Sequence, residues 1–194
     1  LGNGGLGSLA AAYMDALTSE GYAARGLSIL YDYGIFKQGI GDGWQREQPD
    51  EWHKMGSVWL SPRPEETYEV KFGGVVDESW ENGRLTVRQR DCTTVLAVPY
   101  DMNISGYHTS AVNRIRLWSS KAPVDFDMSM FSRGEYVKAM SATAIAESIS
   151  KVLYPADDHL ERKALRPTRP SFFVSPSVPT ITHPTMHHTS SLQT

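Results

Sequence analysis

The chain opens on LGNGGLG and runs without a break into SLAAAYMDAL. Gly2, Gly4 and Gly7 match the G-x-G-x-x-G spacing of a dinucleotide-binding turn. A glycine-rich turn that leads into a helix presents unobstructed backbone N–H groups and the positive end of the helix dipole, and both suit a phosphate. A dinucleotide fold also needs a hydrophobic strand before the glycines and an acidic residue some 20 positions later. That strand would precede Leu1, and the acid would have to be Glu20 or Asp32. Spacing alone therefore leaves three readings open: a dinucleotide turn, another phosphate loop, or a helix cap with no ligand.

Other residues carry weaker chemistry. Asp157 and Asp158 follow Tyr154-Pro155 and read by themselves as two solvated carboxylates after a helix stop. The imidazoles of His183, His187 and His188 have neither a Cys nor a carboxylate close by, so a surface tail is the simpler reading, and no metal site is expected. His53 and His108 show no nucleophile partner. Cys92, in CTTVLAV, reads as a small buried hydrophobe. Trp44, Trp52, Trp59 and Trp118 could stack on sugars, although packing explains them equally simply.

These residues must be positioned by regular elements. Residues 8–19 read as a helix whose apolar stripe is Leu9, Tyr13 and Leu17 with Ala10 and Met14, ended by Gly21. From Ala23 to about Tyr107 the pattern is β-rich: GLSILYDYGIF, ETYEVKFGGVV, CTTVLAVPYD, and a hairpin in WENGRLTVRQ that turns at Asn82-Gly83. Between Gly39 and Pro64, glycines, prolines and three tryptophans suggest an ordered, aromatic-pinned connection. Residues 133–153 lack proline and repeat apolar side chains at Val137, Met140, Ala144, Ile145, Ile149 and Val152, which predicts a long amphipathic helix stopped by Pro155. After Arg166, prolines recur among Ser, Thr and His, and this composition predicts a disordered tail.

Composition bounds the function classes. A chain of 194 residues, 40% hydrophobic and 10% aromatic, suits one domain or a large piece of one. With 19 basic residues mixed among 22 acidic ones, net charge −3, it offers no electrostatic grip on nucleic acid or an anionic membrane. The single Cys92 allows no intrachain disulfide and fits a reducing, cytoplasmic setting. No apolar run approaches membrane-spanning length, and the chain starts at Leu1 with no initiator Met, which implies a cut through a longer chain.

Seven segments in this order resemble the glycogen and α-glucan phosphorylases: LGNGGLGSLAAAYMDAL, LYDYGIF, GDGWQ, the RPE of Arg63 to Glu65, VPYD followed by GY, NRIRLWSSKAPVDFD, and SKVLYPADD. The resemblance covers residues 1 to about 166. It implies an α/β fold, namely part of the N-terminal Rossmann-like lobe of a two-lobed, GT-B type glycosyltransferase with a β-rich middle. It divides the chain into a partial lobe, 1–166, and a divergent tail, 167–194. It implies transfer of a glucosyl unit from an α-1,4-glucan to inorganic phosphate, giving glucose 1-phosphate, with the phosphate of pyridoxal phosphate as proton relay. Gly4 and Gly5 would present the helix N-terminus to the substrate phosphate, Leu6 would lie against the glucosyl ring, and Asp157 and Asp158 would belong to a mobile loop at the sugar site. The cofactor lysine would lie beyond residue 194, so no complete catalytic set is expected in this chain, and alone it is expected to be inactive. A homodimer contact is implied through 133–153, by Val137, Met140, Ile145 and Ile149.

Two departures stand out. Ser8 occupies a position where the family usually has Arg, and Ala156-Asp157-Asp158 replaces an Asn-Asp-Asn type pattern. A noncatalytic carbohydrate-binding or regulatory remnant, or a dinucleotide-dependent oxidoreductase fragment, are the alternatives.

Overall fold

A computed structural model describes residues 4–34, 37–53, 58–123, 136–151 and 160–190. The elements are α1 (Gly4–Ser19), β1 (Arg25–Ile29), β2 (Lys37–Gly41), β3 (Trp44–Gln48), β4 (Ser61–Pro62), β5 (Tyr68–Phe72), β6 (Val75–Glu81), β7 (Arg84–Arg90), β8 (Thr93–Ser105), β9 (Val112–Lys121), α2 (Tyr136–Ser148) and α3 (Leu160–Ser190), with a single 3-10 turn at Pro64–Glu66. The chain is thus mixed α/β. It divides into two compact units, one of Leu1–Glu66, Val98–Ser119 and Ser150–Lys163, the other of Thr67–Ala97, Ser120–Ile149 and Ala164–Thr194. Among the described residues no helix is long and apolar enough to cross a membrane.

In the first unit the sheet order is β1-β9-β8-β4. β1 runs parallel to β9, from Arg25 opposite Arg114 to Ile29 opposite Trp118, whereas β4 is antiparallel to β8. The sheet is therefore mixed. Burial along β8 alternates strictly, with Val95, Ala97, Pro99 and Asp101 inward, as period-two strand geometry requires. Pro99 has no N–H for a ladder. It falls between the residues that pair with β5, ending at Ala97, and those that pair with β4, starting at Tyr100. Its carbonyl accepts a hydrogen bond from the Arg63 N–H at 2.9 Å. Trp118 and Leu30 supply the apolar core of this unit, at 0% and 4% exposure.

Helix α1 ends as the position of Gly21 predicts. Gly21 adopts φ +78°, its N–H bonds the Thr18 carbonyl at 3.1 Å, and the Tyr22 N–H reaches the Leu17 carbonyl at 2.9 Å, a Schellman arrangement. Its inward face differs from the expected one. Gly7, Ala11, Met14 and Thr18 are the less exposed positions, while Leu9, Tyr13 and Leu17 are 47%, 60% and 37% exposed. Gly7, Ala11, Met14 and Thr18, at i, i+4, i+7 and i+11, line the inner face, and Leu9, Tyr13 and Leu17 lie on the outer one.

Two hairpins turn on left-handed pairs. Asn82-Gly83 joins β6 to β7 as expected, with φ 52° and 75°. The second, β2 to β3 through Asp42-Gly43 with φ 55° and 80°, lies inside the stretch read as an aromatic-pinned connection. Of its tryptophans Trp52 is fixed, donating from Nε1 to the Tyr31 carbonyl at 3.0 Å, while Trp44 and Trp59 are exposed. Cys92 is half-buried and precedes β8, so it is less enclosed than the apolar run around it suggests.

In the second unit β5 pairs antiparallel with the first residues of β8, and Ser120 Oγ donates to the Ala146 carbonyl of α2 at 2.6 Å. The helix expected over 133–153 is described from Tyr136 to Ser148. Ile149 is buried at 3% exposure, so it is not available to a second copy, whereas Ile145 is 66% exposed; the side chains of Val137 and Met140 lie outside the described residues. The tail expected to be disordered is instead helical over Leu160–Ser190. Each interior proline removes one helical hydrogen bond, and burial offsets that loss: Phe172, Pro176 and Thr180, four residues apart on one face, are all buried. Arg169 Nε donates to the Ile149 carbonyl at 3.0 Å, which ties this helix to the end of α2.

Phe172→Ala should therefore cost about 3 to 5 kcal/mol in urea unfolding, and Val174→Ala, at a position 50% exposed, less than about 0.5 kcal/mol. Equal midpoints for the two variants would contradict a packed helix.

Candidate functional site: the glycine-rich helix start and two polar clusters

The glycine loop becomes the first turn of α1. Gly4 is the first helical residue, the first turn carries no acidic side chain, and Gly5 and Leu6 are exposed, Leu6 at 84%. A Cβ placed on Gly5 would meet nothing within 4 Å. The first N–H groups of a helix have no intrahelical acceptor, so this turn offers donors and a positive dipole end to an anion. Ser8 sits exposed within that turn's continuation and is not free of interactions. Asp157 and Asp158 lie outside the described residues, so the structure brings together Gly4, Gly5 and Leu6 of the expected set.

Behind the loop, the far end of α1 is held by one side chain of β9. Asn113, buried at 8% exposure, donates from Nδ2 to Thr18 Oγ1 and to the Tyr22 carbonyl, each at 2.9 Å, and its Oδ1 accepts the Ala24 N–H at 3.0 Å. Thr18 Oγ1 in turn donates to the Met14 carbonyl at 2.6 Å. The Tyr107 N–H bonds Ser19 Oγ at 2.9 Å.

A second polar cluster lies in the same sheet. Asp101, its side chain 2% exposed, accepts a two-pronged bond from Arg116, Nε at 2.8 Å and Nη2 at 2.9 Å, and a third bond from Arg114 Nη1 at 3.2 Å. Arg116 Nη1 reaches Glu66 at 2.5 Å. Arg63 Nε is buried 3.7 Å from Asp101, beyond bonding range, and Arg63 Nη1 stands 3.9 Å from Glu65. Arg114 and Arg116 reach one carboxylate because alternate strand positions share a face. The Arg116 guanidinium also lies 5.7 Å from the Trp118 ring centre. Burial pushes the Asp101 carboxyl up, but the Arg116 hydrogen bonds and the charges of Arg116, Arg114 and Arg63 outweigh it and hold the group below the usual carboxylate range. The bond to Asp101 raises Arg116 further, against burial. Three cations face three carboxylates here, and the cluster fixes backbone.

Sequence reading named the segments RPE, VPYD and NRIRLW without seeing that their charged members meet. The signal was present: Asp101, Arg114 and Arg116 interrupt otherwise apolar alternating strands with opposite charges.

Pyridoxal phosphate, which the resemblance implies, needs a lysine amine. Among the lysines whose side chains are described, Lys37 and Lys71 are exposed strand positions, Lys121 stands 3.8 Å from Glu147 with its side chain 43% exposed, and Lys151 is half-buried. An open groove of about 390 Å³ is lined by Ala23, Ala24, Arg25, Val112, Asn113 and Arg114, with no lysine. These residues do not fit the cofactor. No group of three or more His, Cys, Asp or Glu able to hold a metal occurs among the described residues.

Asp101→Asn should lower stability by about 3 kcal/mol, because it leaves Arg116 buried with one full partner lost. A carboxyl held below its unfolded range stabilises the fold above the unfolded pKa, and that contribution is lost as pH falls through the lower folded value. The wild-type advantage over Asp101→Asn in urea midpoint should be constant from pH 7 to about 5 and shrink below about pH 4; an advantage that grows on acidification would contradict this assignment.

Comparison with known proteins accounts for the ordered segments. A family model described as carbohydrate phosphorylase matches residues 1–194, past Arg166 where the segment-by-segment resemblance stopped. The chain is 44% identical over 175 residues to the muscle form of glycogen phosphorylase from Ovis aries and from Homo sapiens, and 46% identical to the brain form from Bos taurus, in each case over 90% of this chain. It spans about 20% of the length of these relatives. With a family match along its whole length and a glycine loop that opens a helix, the chain belongs to the carbohydrate phosphorylase family.

Proposed function

We propose that this chain supplies the phosphate-holding helix of an α-1,4-glucan phosphorylase, in which inorganic phosphate takes a glucosyl unit from the non-reducing end of the glucan as glucose 1-phosphate. Family membership combined with the open position of Gly5 in the first turn of α1 carries this reading. Backbone N–H groups fixed by a helix stabilise phosphate charge without reorganising during the reaction. Leu6, exposed beside them, offers an apolar surface to the flat face of a glucosyl ring. Asp157 and Asp158 would add hydrogen-bond acceptors for sugar hydroxyls. The mixed β1-β9-β8-β4 sheet with α1 is consistent with part of the N-terminal lobe of a two-lobed glycosyltransferase. Pyridoxal phosphate would supply the proton relay and be held by residues other than those described. A homodimer would use the exposed side of α2 at Ile145, and the single Cys92 suits a cytoplasmic setting.

The open space at Gly5 allows a test that separates phosphate binding from folding. Gly5→Asp places a carboxylate in the first helical turn, where it should stabilise α1 by about 0.3 to 1 kcal/mol while repelling phosphate. Phosphorolysis of maltoheptaose by the intact protein, followed as glucose 1-phosphate, should fall by about 10²-fold or more with no loss of thermal stability. Unchanged phosphorolysis in Gly5→Asp would overturn the assignment of this loop.

A further inference from the structure

The first turn of α1 can hold phosphate only if the helix axis is fixed; Gly7, Ala11 and Met14 are half-buried along its inner face, and the fully buried contact comes at its far end. Among its described residues Thr18 alone is buried, at 0% exposure, and the bulky apolar side chains Leu6, Leu9, Tyr13 and Leu17 face outward. The firm attachment is at the opposite end from the glycines, where Thr18 and the residues after the helix meet Asn113. We propose that Asn113 is a positioning residue for the phosphate loop, acting through Thr18 and the 16-residue length of α1. This rests on the reading that Gly4 and Gly5 hold the substrate phosphate.

The argument follows from hydrogen-bond capacity. An amide side chain has two N–H donors and a carbonyl acceptor, and Asn113 spends both donors and the acceptor on three elements in succession: the last turn of α1 through Thr18 Oγ1, the Schellman turn through the Tyr22 carbonyl, and the approach to β1 through the Ala24 N–H. Asp would lose the two donated bonds, and Leu would lose all three. Because Asn113 lies in β9, paired with β8 in the central sheet, these bonds reference the helix to the most regular part of the unit. Thr18 extends the tether by donating its own hydroxyl hydrogen bond to the Met14 carbonyl, one turn further into the helix.

Leverage makes this remote contact matter to chemistry. A helix of 16 residues is about 24 Å long, so a tilt of about 3° at the Asn113 end moves Gly4 by about 1 Å. A misplacement of that size between donors and a reacting group can cost about 10²-fold in rate. Asn113 touches no substrate in this scheme. It sets the direction in which the N–H groups point.

The test uses the intact protein with three variants: Asn113→Ala, Thr18→Val, which keeps shape but removes the hydroxyl, and Thr18→Ser, which keeps the hydroxyl. In phosphorolysis the first two should raise the KM for inorganic phosphate by about tenfold or more while leaving the KM for maltoheptaose within about twofold, and Thr18→Ser should restore the wild-type value. A general loss of structure would move both constants together. Hydrogen exchange gives a reading independent of catalysis: amides in α1 should exchange at least about tenfold faster in Asn113→Ala and Thr18→Val, with β9 amides still protected, and Thr18→Ser should behave as wild type. Phosphorolysis is read on the full-length phosphorylase that carries this segment; if its wild type shows none, the phosphate-loop reading fails while the exchange data still decide the tether. Unchanged exchange in α1, or deprotection spread equally through β9, would overturn it, as would a phosphate KM unmoved by Thr18→Val. If Asn113→Ala does not fold, Thr18→Val against Thr18→Ser decides.

Discussion

A carboxylate taken out of water must be surrounded by donors, and Asp101 imposes that requirement on the whole first unit. Its side chain occupies the inward register of β8, in line with Val95, Ala97 and Pro99, where an unpaired charge would be prohibitively costly. The answer is two arginines two residues apart on β9, one of them bound through both prongs, and a third arginine brought in by the segment before the 3-10 turn at Pro64–Glu66. Each participant restricts another. Arg116 cannot serve Asp101 unless β8 and β9 keep their register, and Glu66 can meet Arg116 only if the Arg63 segment lies where its N–H meets the Pro99 carbonyl. Replacing such a cluster by apolar groups often costs little, whereas removing one member costs much, so its value lies in specifying a single arrangement.

The same strand then carries the construction from the interior to the helix. β9 buries Asn113 on one side and Arg116 and Trp118 on the other within six residues: an amide that holds the end of α1, a cation that answers Asp101, and a ring that fills the core. Parallel pairing of β1 along residues 114–118 leaves Asn113 just outside the ladder, with its side chain free to bind Ala24 before β1 begins. A buried electrostatic lock and a backbone tether are therefore adjacent on one strand.

Much of this was legible in the sequence where a local cause dominates. Gly21 ends α1 because the turn needs φ near +78°, and Asn82-Gly83 makes a hairpin because both residues tolerate the left-handed region. Asp42-Gly43 carries the same signal, yet the surrounding tryptophans and prolines obscured it. The order of short segments, LGNGGLG first and SKVLYPADD last, was enough to indicate the family that the whole-length match supports. What could not be read locally depends on distant partners. The pairing of Asp101 with Arg116 joins residues 15 apart, and Asn113 with Thr18 joins residues 95 apart. The inner face of α1 was misjudged for a related reason: periodicity shows that a helix has an apolar stripe, not which face meets the rest of the protein.

The last helix shows the limit of propensity in the other direction. Prolines at 167, 170, 176, 179 and 184 argue against a helix at roughly 3 kcal/mol each in an isolated peptide, and Ser and Thr would ordinarily favour turns. Within Leu160–Ser190 the hydroxyls of Ser171, Ser175, Ser177, Thr180 and Thr182 instead bond to carbonyls four residues earlier, so their polar groups are satisfied by the helix that they would otherwise disturb. That satisfaction is what lets Ser177 and Thr180 be buried beside Phe172 and Pro176. Apolar residues four apart, with hydroxyls bonded to their own helix between them, make a face that can be buried even though its backbone lacks several donors. The composition that reads as disorder when residues are counted is compatible with a packed helix when they are placed by phase.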